Sequence, residues 1–169
     1  MAQYQAYAGL CHAYASNALL PERTLIVEAL NEYFKGDKLA AAMNMTIKEV
    51  APGHAVVAMP ITDMHKNGLD AAHGGAIFSL ADFCFAVASN SHGRVAVAVN
   101  ASISFFRAAF SGVLTATARE THLGERIAGY VIDVTDESGA LVAAMQGVVY
   151  RKADTIAAVL KKRSEKESS

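Results

Sequence analysis

The chain has 169 residues, 53% of them hydrophobic and 18% charged, enough to bury the core of one domain and too apolar for a disordered chain. Lys and Arg number 15 against 16 Asp and Glu, a net charge of −1 that offers no basic excess for nucleic-acid phosphates. No apolar run reaches the ~20 residues of a membrane span, and the start, MAQYQAYAGLCHAYASN, lacks the basic and apolar regions of a signal peptide.

The expectation is a cytoplasmic protein with neither nucleic-acid nor membrane partners. Two cysteines, Cys11 and Cys84, form no CxxC pair and read as buried or free thiols. The histidines His12, His54, His65, His92 and His122 are scattered and show no zinc-ligand spacing. There is no GxSxG nucleophile elbow and no nucleotide-binding fingerprint.

Residues 1–36 read as a helical lead. After Pro21, Leu25, Ile26, Ala29, Leu30, Tyr33 and Phe34 follow a 3.6-residue rhythm until Gly36-Asp37 breaks it. Residues 39–43 add one further turn. Residues 45–50 and 55–60 are apolar or β-branched runs around Pro52-Gly53 and predict a hairpin. Residues 61–72 form a polar loop containing Asn67-Gly68.

Residues 73–90 carry the strongest helical signal. Ile77, Leu80, Ala81, Cys84, Phe85 and Ala88 repeat as one stripe, widened by Phe78 and Val87. So apolar a helix calls for a curved sheet around it. Four β-rich segments follow, at 94–106, 112–122, 127–136 and 140–151, separated by Gly-rich turns. Their short connections predict an antiparallel meander. From residue 154 a short amphipathic helix leads into KKRSEKESS, a solvated, frayed end. The fold class is α+β.

Three features of the run from Asn67 to Asp82 bear on chemistry. His73-Gly74-Gly75 opens the long helix, where backbone N–H groups lack intrahelical partners and the helix dipole is positive. These N–H groups suit a carbonyl oxygen gaining charge; the glycines equally suit close packing of the helix start. Asp82 sits among Phe78, Ala81, Phe83 and Phe85, where a carboxylate is costly to ionise and becomes a base or nucleophile. It also fits a solvent-facing strip with Ser79 and Ser89. Asn67 can orient a water or a carbonyl, and Asn-Gly is also an ordinary turn dipeptide.

Asp82 lies eight residues beyond Gly74, roughly 12 Å along a helix at ~1.5 Å per residue. One helix hardly brings both features to the same carbonyl. Two antiparallel helices across a two-fold axis do, which predicts a site shared between the subunits of a homodimer.

The run HGGAIFSLADFCFAVASNSHG, preceded by Asn67-Gly68 and followed by ASISFFR and GVLTATA, resembles the hotdog-fold thioesterases of the phenylacetate-degradation (PaaI-like) type. The resemblance spans about residues 37–152. It implies a hotdog fold, an antiparallel sheet wrapped around one long central helix. The hotdog domain would then be 37–152, with a helical extension at 1–36 and a helix and tail at 153–169. It implies an acyl-CoA thioesterase acting on an aryl-acyl or medium-chain acyl group, with no cofactor, since coenzyme A is part of the substrate. Asp82 would be the nucleophile or general base. Gly75, with Gly74 as the alternative, would hold the oxyanion, and His73 and Asn67 would position substrate or water. Family members assemble as homodimers, often paired into tetramers.

Two departures are visible. Arg107 is followed by Ala108-Ala109 where the family often has Pro, which bears on CoA contacts there. Some relatives carry a water-binding Ser in the strand after the helix; here Val97-Ala98-Val99-Asn100 has none, and Asn100 is the substitute. Cations for the CoA phosphates are Arg94, Arg107, Arg119, Arg126, Arg151 and Lys152, Arg107 being favoured by its motif. Phe78, Phe83, Phe85, Phe105, Phe106 and Phe110 are candidates to line the acyl site. Two other readings are a hotdog hydratase, which would need a catalytic His on this helix, and a non-catalytic acyl-CoA or lipid binder, which has no use for Asp82.

Overall fold

The computed structural model describes residues 30–167. In chain order the elements are α1 (Lys38–Ala42), β1 (Thr46–Ala51), β2 (His54–Pro60), α2 (Gly74–Asn90), β3 (Arg94–Phe105), β4 (Val113–Leu123), β5 (Ile127–Thr135), β6 (Leu141–Thr155) and α3 (Ile156–Glu167). Of the helical lead, residues 30–34 are helical, and residues 1–29, with Cys11, lie outside the described residues. Asp37 caps α1, its Oδ1 accepting the N–H groups of Leu39 and Ala40.

The six strands form one antiparallel sheet in the order β1-β2-β4-β5-β6-β3. The expected hairpin is β1–β2. The expected four-stranded meander holds for β4, β5 and β6 alone, because β3 pairs with β6 and not with β4. The connection from β3 to β4 explains this. Residues 106–112 cross beside the start of α2, where the Ala72 N–H donates to the Ala109 carbonyl and the Ile61 N–H to that of Gly112. Strand β4 emerges beside β2, and β3 is left at the sheet edge.

Helix α2 packs against all six strands. Every residue of its expected stripe is buried, Leu80, Ala81, Cys84 and Ala88 completely. Each large side chain so removed from water contributes ~1.5–3 kcal/mol. The fit is close. Gly147 of β6 lies under the Phe85 ring, and a Cβ there would stand 2.7 Å from ring carbons. Cys84 donates its thiol to the carbonyls of Ala55 and Ala116, and burial pushes that thiol up to about 12.

The far end of α2 is tied down twice. The Gly53 N–H, in the β1–β2 turn, donates to Ser91 Oγ at 2.8 Å. Asn90 accepts the Ala96 N–H and donates back to the Ala96 carbonyl. Beside them His92 Nε2 and the Tyr130 hydroxyl share one oxygen of Glu120, at 2.7 and 2.6 Å. Helix α3 continues to Glu167, so the charged run from Lys161 is helical as far as that residue and does not fray where expected. Its Arg163 donates to the Tyr33 carbonyl and stacks on the Tyr33 ring.

Candidate active site

The start of α2 is built by a short chain of hydrogen bonds. Residues 63–65 make a 3-10 turn in which His65 Nδ1 accepts the Thr62 N–H. The His65 carbonyl accepts the N–H of His73 at 2.7 Å. His73 caps the helix, its Nδ1 accepting the Gly75 N–H at 2.9 Å. Ala76 and Ile77 donate to the His73 carbonyl. Among the first helical N–H groups, that of Gly74 has no partner among the described residues. The ring of Phe105 lies beside it, 3.4 Å from where a Gly74 Cβ would stand.

Asn67 shapes the loop before this point. Its Oδ1 accepts the N–H groups of Leu69 and Ala71, and its backbone bonds Asp70 and Ala71. Both readings of Asn67 therefore remain in one side chain. The oxygen holds the turn, and the amide nitrogen has no partner among the described residues.

Six residues of α2 are not buried: Gly74, Gly75, Phe78, Ser79, Asp82 and Ala86. From Gly75 to Ala86 they recur every three or four positions and make one strip along the helix. The sheet leaves this strip uncovered. Asp82 lies at its centre, half-buried, one turn beyond Phe78. Its carboxylate makes no hydrogen bond or ion pair among the described residues. Burial, and next the carboxylate of Asp37, hold its carboxyl above the ordinary range. An unpartnered carboxylate so placed can accept a proton or attack a carbon.

The remaining candidates divide. Phe105, Phe106 and Phe110 are at least half exposed near the helix start, and Phe78 is half-buried. Phe83 and Phe85 are buried in the core, against Phe34 and Tyr130. Asn100 pairs with Val148, next to inward-facing Gly147 and Val149, so the pleat turns it to the outer face, away from α2. Within one chain it does not join the helix start. Arg107 is near that start but bonded to Asp136 at 2.9 Å. His65, given little weight in the sequence, is 2% exposed and supports the cap. A His eight residues before the capping His73, in a loop that turns back on itself, is the signal that was available.

The sequence profile of the thioesterase superfamily matches residues 69–143. Acyl-coenzyme A thioesterase PaaI of Escherichia coli K12 is 40% identical over 124 residues, 73% of this chain and 89% of that protein. The chain belongs to the thioesterase superfamily. The structure of E. coli PaaI superposes with a TM-score of 0.75 at 36% identity, covering 79% of this chain and 97% of that one. The phenylacetic acid degradation protein PaaI of Thermus thermophilus, solved as a variant, gives 0.65 at 37% identity over 68% and 98%. The PaaI-like hotdog fold and the enzyme class expected from HGG and LAD are thus both established. No helix of this thioesterase, among the described residues, is long and apolar enough to cross a membrane.

Proposed function

We propose that this thioesterase hydrolyses an aryl-acyl or medium-chain acyl-CoA to the free acid and CoA, in a site shared by two subunits. The observation that carries this reading is the strip of α2 that the sheet leaves uncovered, with Gly74 and Gly75 at one end and, in the middle, an Asp82 without a side-chain partner among the described residues. Their separation along one helix, roughly 12 Å, is too great for one carbonyl. A second copy laid antiparallel on the strip sets the helix start of one subunit against Asp82 of the other. The twelve-residue edge strand β3, with Val97, Val99 and Phe105 exposed, supports such a partner. Two such dimers can pair into a tetramer.

The thioester carbonyl would accept the free Gly74 N–H. It would also accept that of Gly75 once the His73 imidazole gives way. Asp82 then either takes a proton from a water that attacks the carbonyl carbon, or attacks that carbon itself and forms an anhydride that water opens. In both cases the carbon–sulfur bond breaks, the thiolate leaves as CoA, and water supplies the new oxygen. The Asn67 amide would orient the water. Phe78 and Phe105 suit an apolar acyl group. The chemistry needs no cofactor beyond the CoA of the substrate, and the reading carries with it a cytoplasmic site of action.

The test is release of free thiol across aryl, short, medium and long acyl-CoA substrates, with Asp82→Asn beside the wild type. Turnover that falls by ~10²-fold or more in the folded variant supports the assignment. Turnover unchanged by the substitution sinks it. Binding without turnover in the wild type would make the protein an acyl-CoA binder.

A further inference from the structure

The start of α2 hangs from a piece of chain anchored to the sheet. Strand β2 ends at Pro60, and the Ile61 N–H is held by the Gly112 carbonyl at 2.8 Å. Thr62-Asp63-Met64-His65 follows with the spacing of a capping box, His65 standing where Glu or Gln is usual. The His65 ring reaches back, and its Nδ1 accepts the Thr62 N–H at 3.2 Å. The Thr62 hydroxyl lies 3.3 Å from the same nitrogen. From His65 the chain loops out and returns. Lys66 bridges to Ala72, and the Asn67 N–H donates to the Ala71 carbonyl at 2.8 Å. The His65 carbonyl closes the loop on the His73 N–H at 2.7 Å.

A ring nitrogen that accepts an N–H carries no proton, so the His65 proton sits on Nε2. That Nε2 is buried and has no acceptor among the described residues, in a side chain only 2% exposed. A buried donor left unpaired costs about 1–3 kcal/mol. As a filler of space this imidazole is therefore inferior to leucine, and what it contributes is the bond to Thr62.

The anchor bears on the free donor of the helix start. The Gly74 N–H belongs to the peptide unit that carries the His73 carbonyl, and in a trans peptide the two point opposite ways. The N–H groups of Ala76 and Ile77 hold that carbonyl into the helix, at 2.9 and 3.1 Å, so the Gly74 N–H faces out of it. The preceding peptide unit, with the His73 N–H, is held by His65. Both units that flank the His73 Cα are thus fixed, one by the helix and one by His65.

We propose that His65 is a positioning residue for thioester hydrolysis. Its ring sets its own carbonyl, the carbonyl sets His73, and His73 aims the Gly74 N–H at the substrate. The proposal rests on the reading of the helix start as the carbonyl site, and adds to it a buried residue that touches no substrate.

The experiment compares His65→Leu, which removes the ring acceptor, with His65→Gln, which puts a capping-box acceptor back. On an acyl-CoA that the wild type hydrolyses, His65→Leu should lower kcat by ~10-fold or more. KM should stay within about twofold, because an ill-aimed donor fails the transition state more than the bound substrate. His65→Gln should restore kcat. The Tm of His65→Leu should hold, since removing the unpaired donor offsets the lost bond. An unchanged kcat in His65→Leu, equal losses in both variants, or a kcat that only tracks Tm overturns the proposal. If His65→Leu does not fold, nitrogen NMR of the wild-type ring decides. A bare Nδ1 with the proton on Nε2 supports the anchor, and a protonated Nδ1 overturns it. A wild type that turns over no thioester overturns the acyl-CoA reading alone. Amide exchange at His73 then decides the anchor: faster in His65→Leu and normal in His65→Gln supports it, and equal rates in all three reject it.

Discussion

His73 Nδ1 takes the N–H of Gly75, two residues ahead in the same helix, at 2.9 Å. The imidazole thereby does the work of an N-cap side chain at the point where the thioester carbonyl is proposed to dock. His73→Ala removes the acceptor and should cost about 1 kcal/mol of stability. His73→Asn, a stronger capping residue, should recover it. Urea denaturation of the three proteins reads the difference, and equal midpoints would show that the cap contributes nothing.

Asp82 has a testable acid limb. Its carboxyl is raised, first by burial and then by Asp37. The ionised form is reactive in either mechanism, so kcat/KM should fall with pH above the ordinary carboxylate range. Asp37→Asn keeps a good cap on α1 and removes one cause, so the limb should move to lower pH. A limb that stays put disproves the coupling.

The same shift fixes a stability sign. The folded state holds the Asp82 proton more tightly than the unfolded chain. That contribution is complete below the unfolded value, ~3.9, and is lost as pH rises through the raised folded value. Asp82→Asn should therefore unfold at a higher temperature than the wild type at neutral pH, while losing turnover. A lower Tm would argue that the carboxylate stabilises the fold.

Gly147 faces the Phe85 ring with no room for a methyl group. Gly147→Ala should destabilise by ~1–3 kcal/mol, the usual range for overpacking. Adding Phe85→Leu should return part of that loss. Chemical denaturation of both variants measures it, and a neutral Gly147→Ala would mean that β6 yields easily.

Cys84 should be silent to thiol reagents in the native protein, because burial holds its thiol at about 12. With Cys11→Ser in the background, Ellman's reagent should detect no thiol until urea is added. Rapid native labelling would indicate that α2 leaves its sheet readily.

Much of this was legible in the sequence, for identifiable reasons. The stripe on α2 and the Pro52-Gly53 hairpin are local patterns, and both formed as expected. The place of β3 depends on the path of residues 106–112, which no periodicity encodes. The phenylalanines look alike in sequence, yet Phe85 is core because Gly147 makes space for it, whereas Phe105 is exposed because it ends an edge strand. Arg107 and Asp136 are 29 residues apart, so a motif alone could not reveal that this arginine is already paired. Asn100 turns outward through a register set by β6. His65 matters through its carbonyl as well as its ring, and a carbonyl has no residue-type signature.

The bond from Gly53 to Ser91 acts, in mechanical terms, as an axial stop. With His73 hung from His65 at one end and Ser91 latched to the hairpin turn at the other, screwing or sliding α2 within its sheet would break one bond or the other. The height of Asp82 along that axle is then set by residues more than a dozen ångströms away at ~1.5 Å per residue. A loosened latch would reach the chemistry as a change of alignment, with the overall architecture intact.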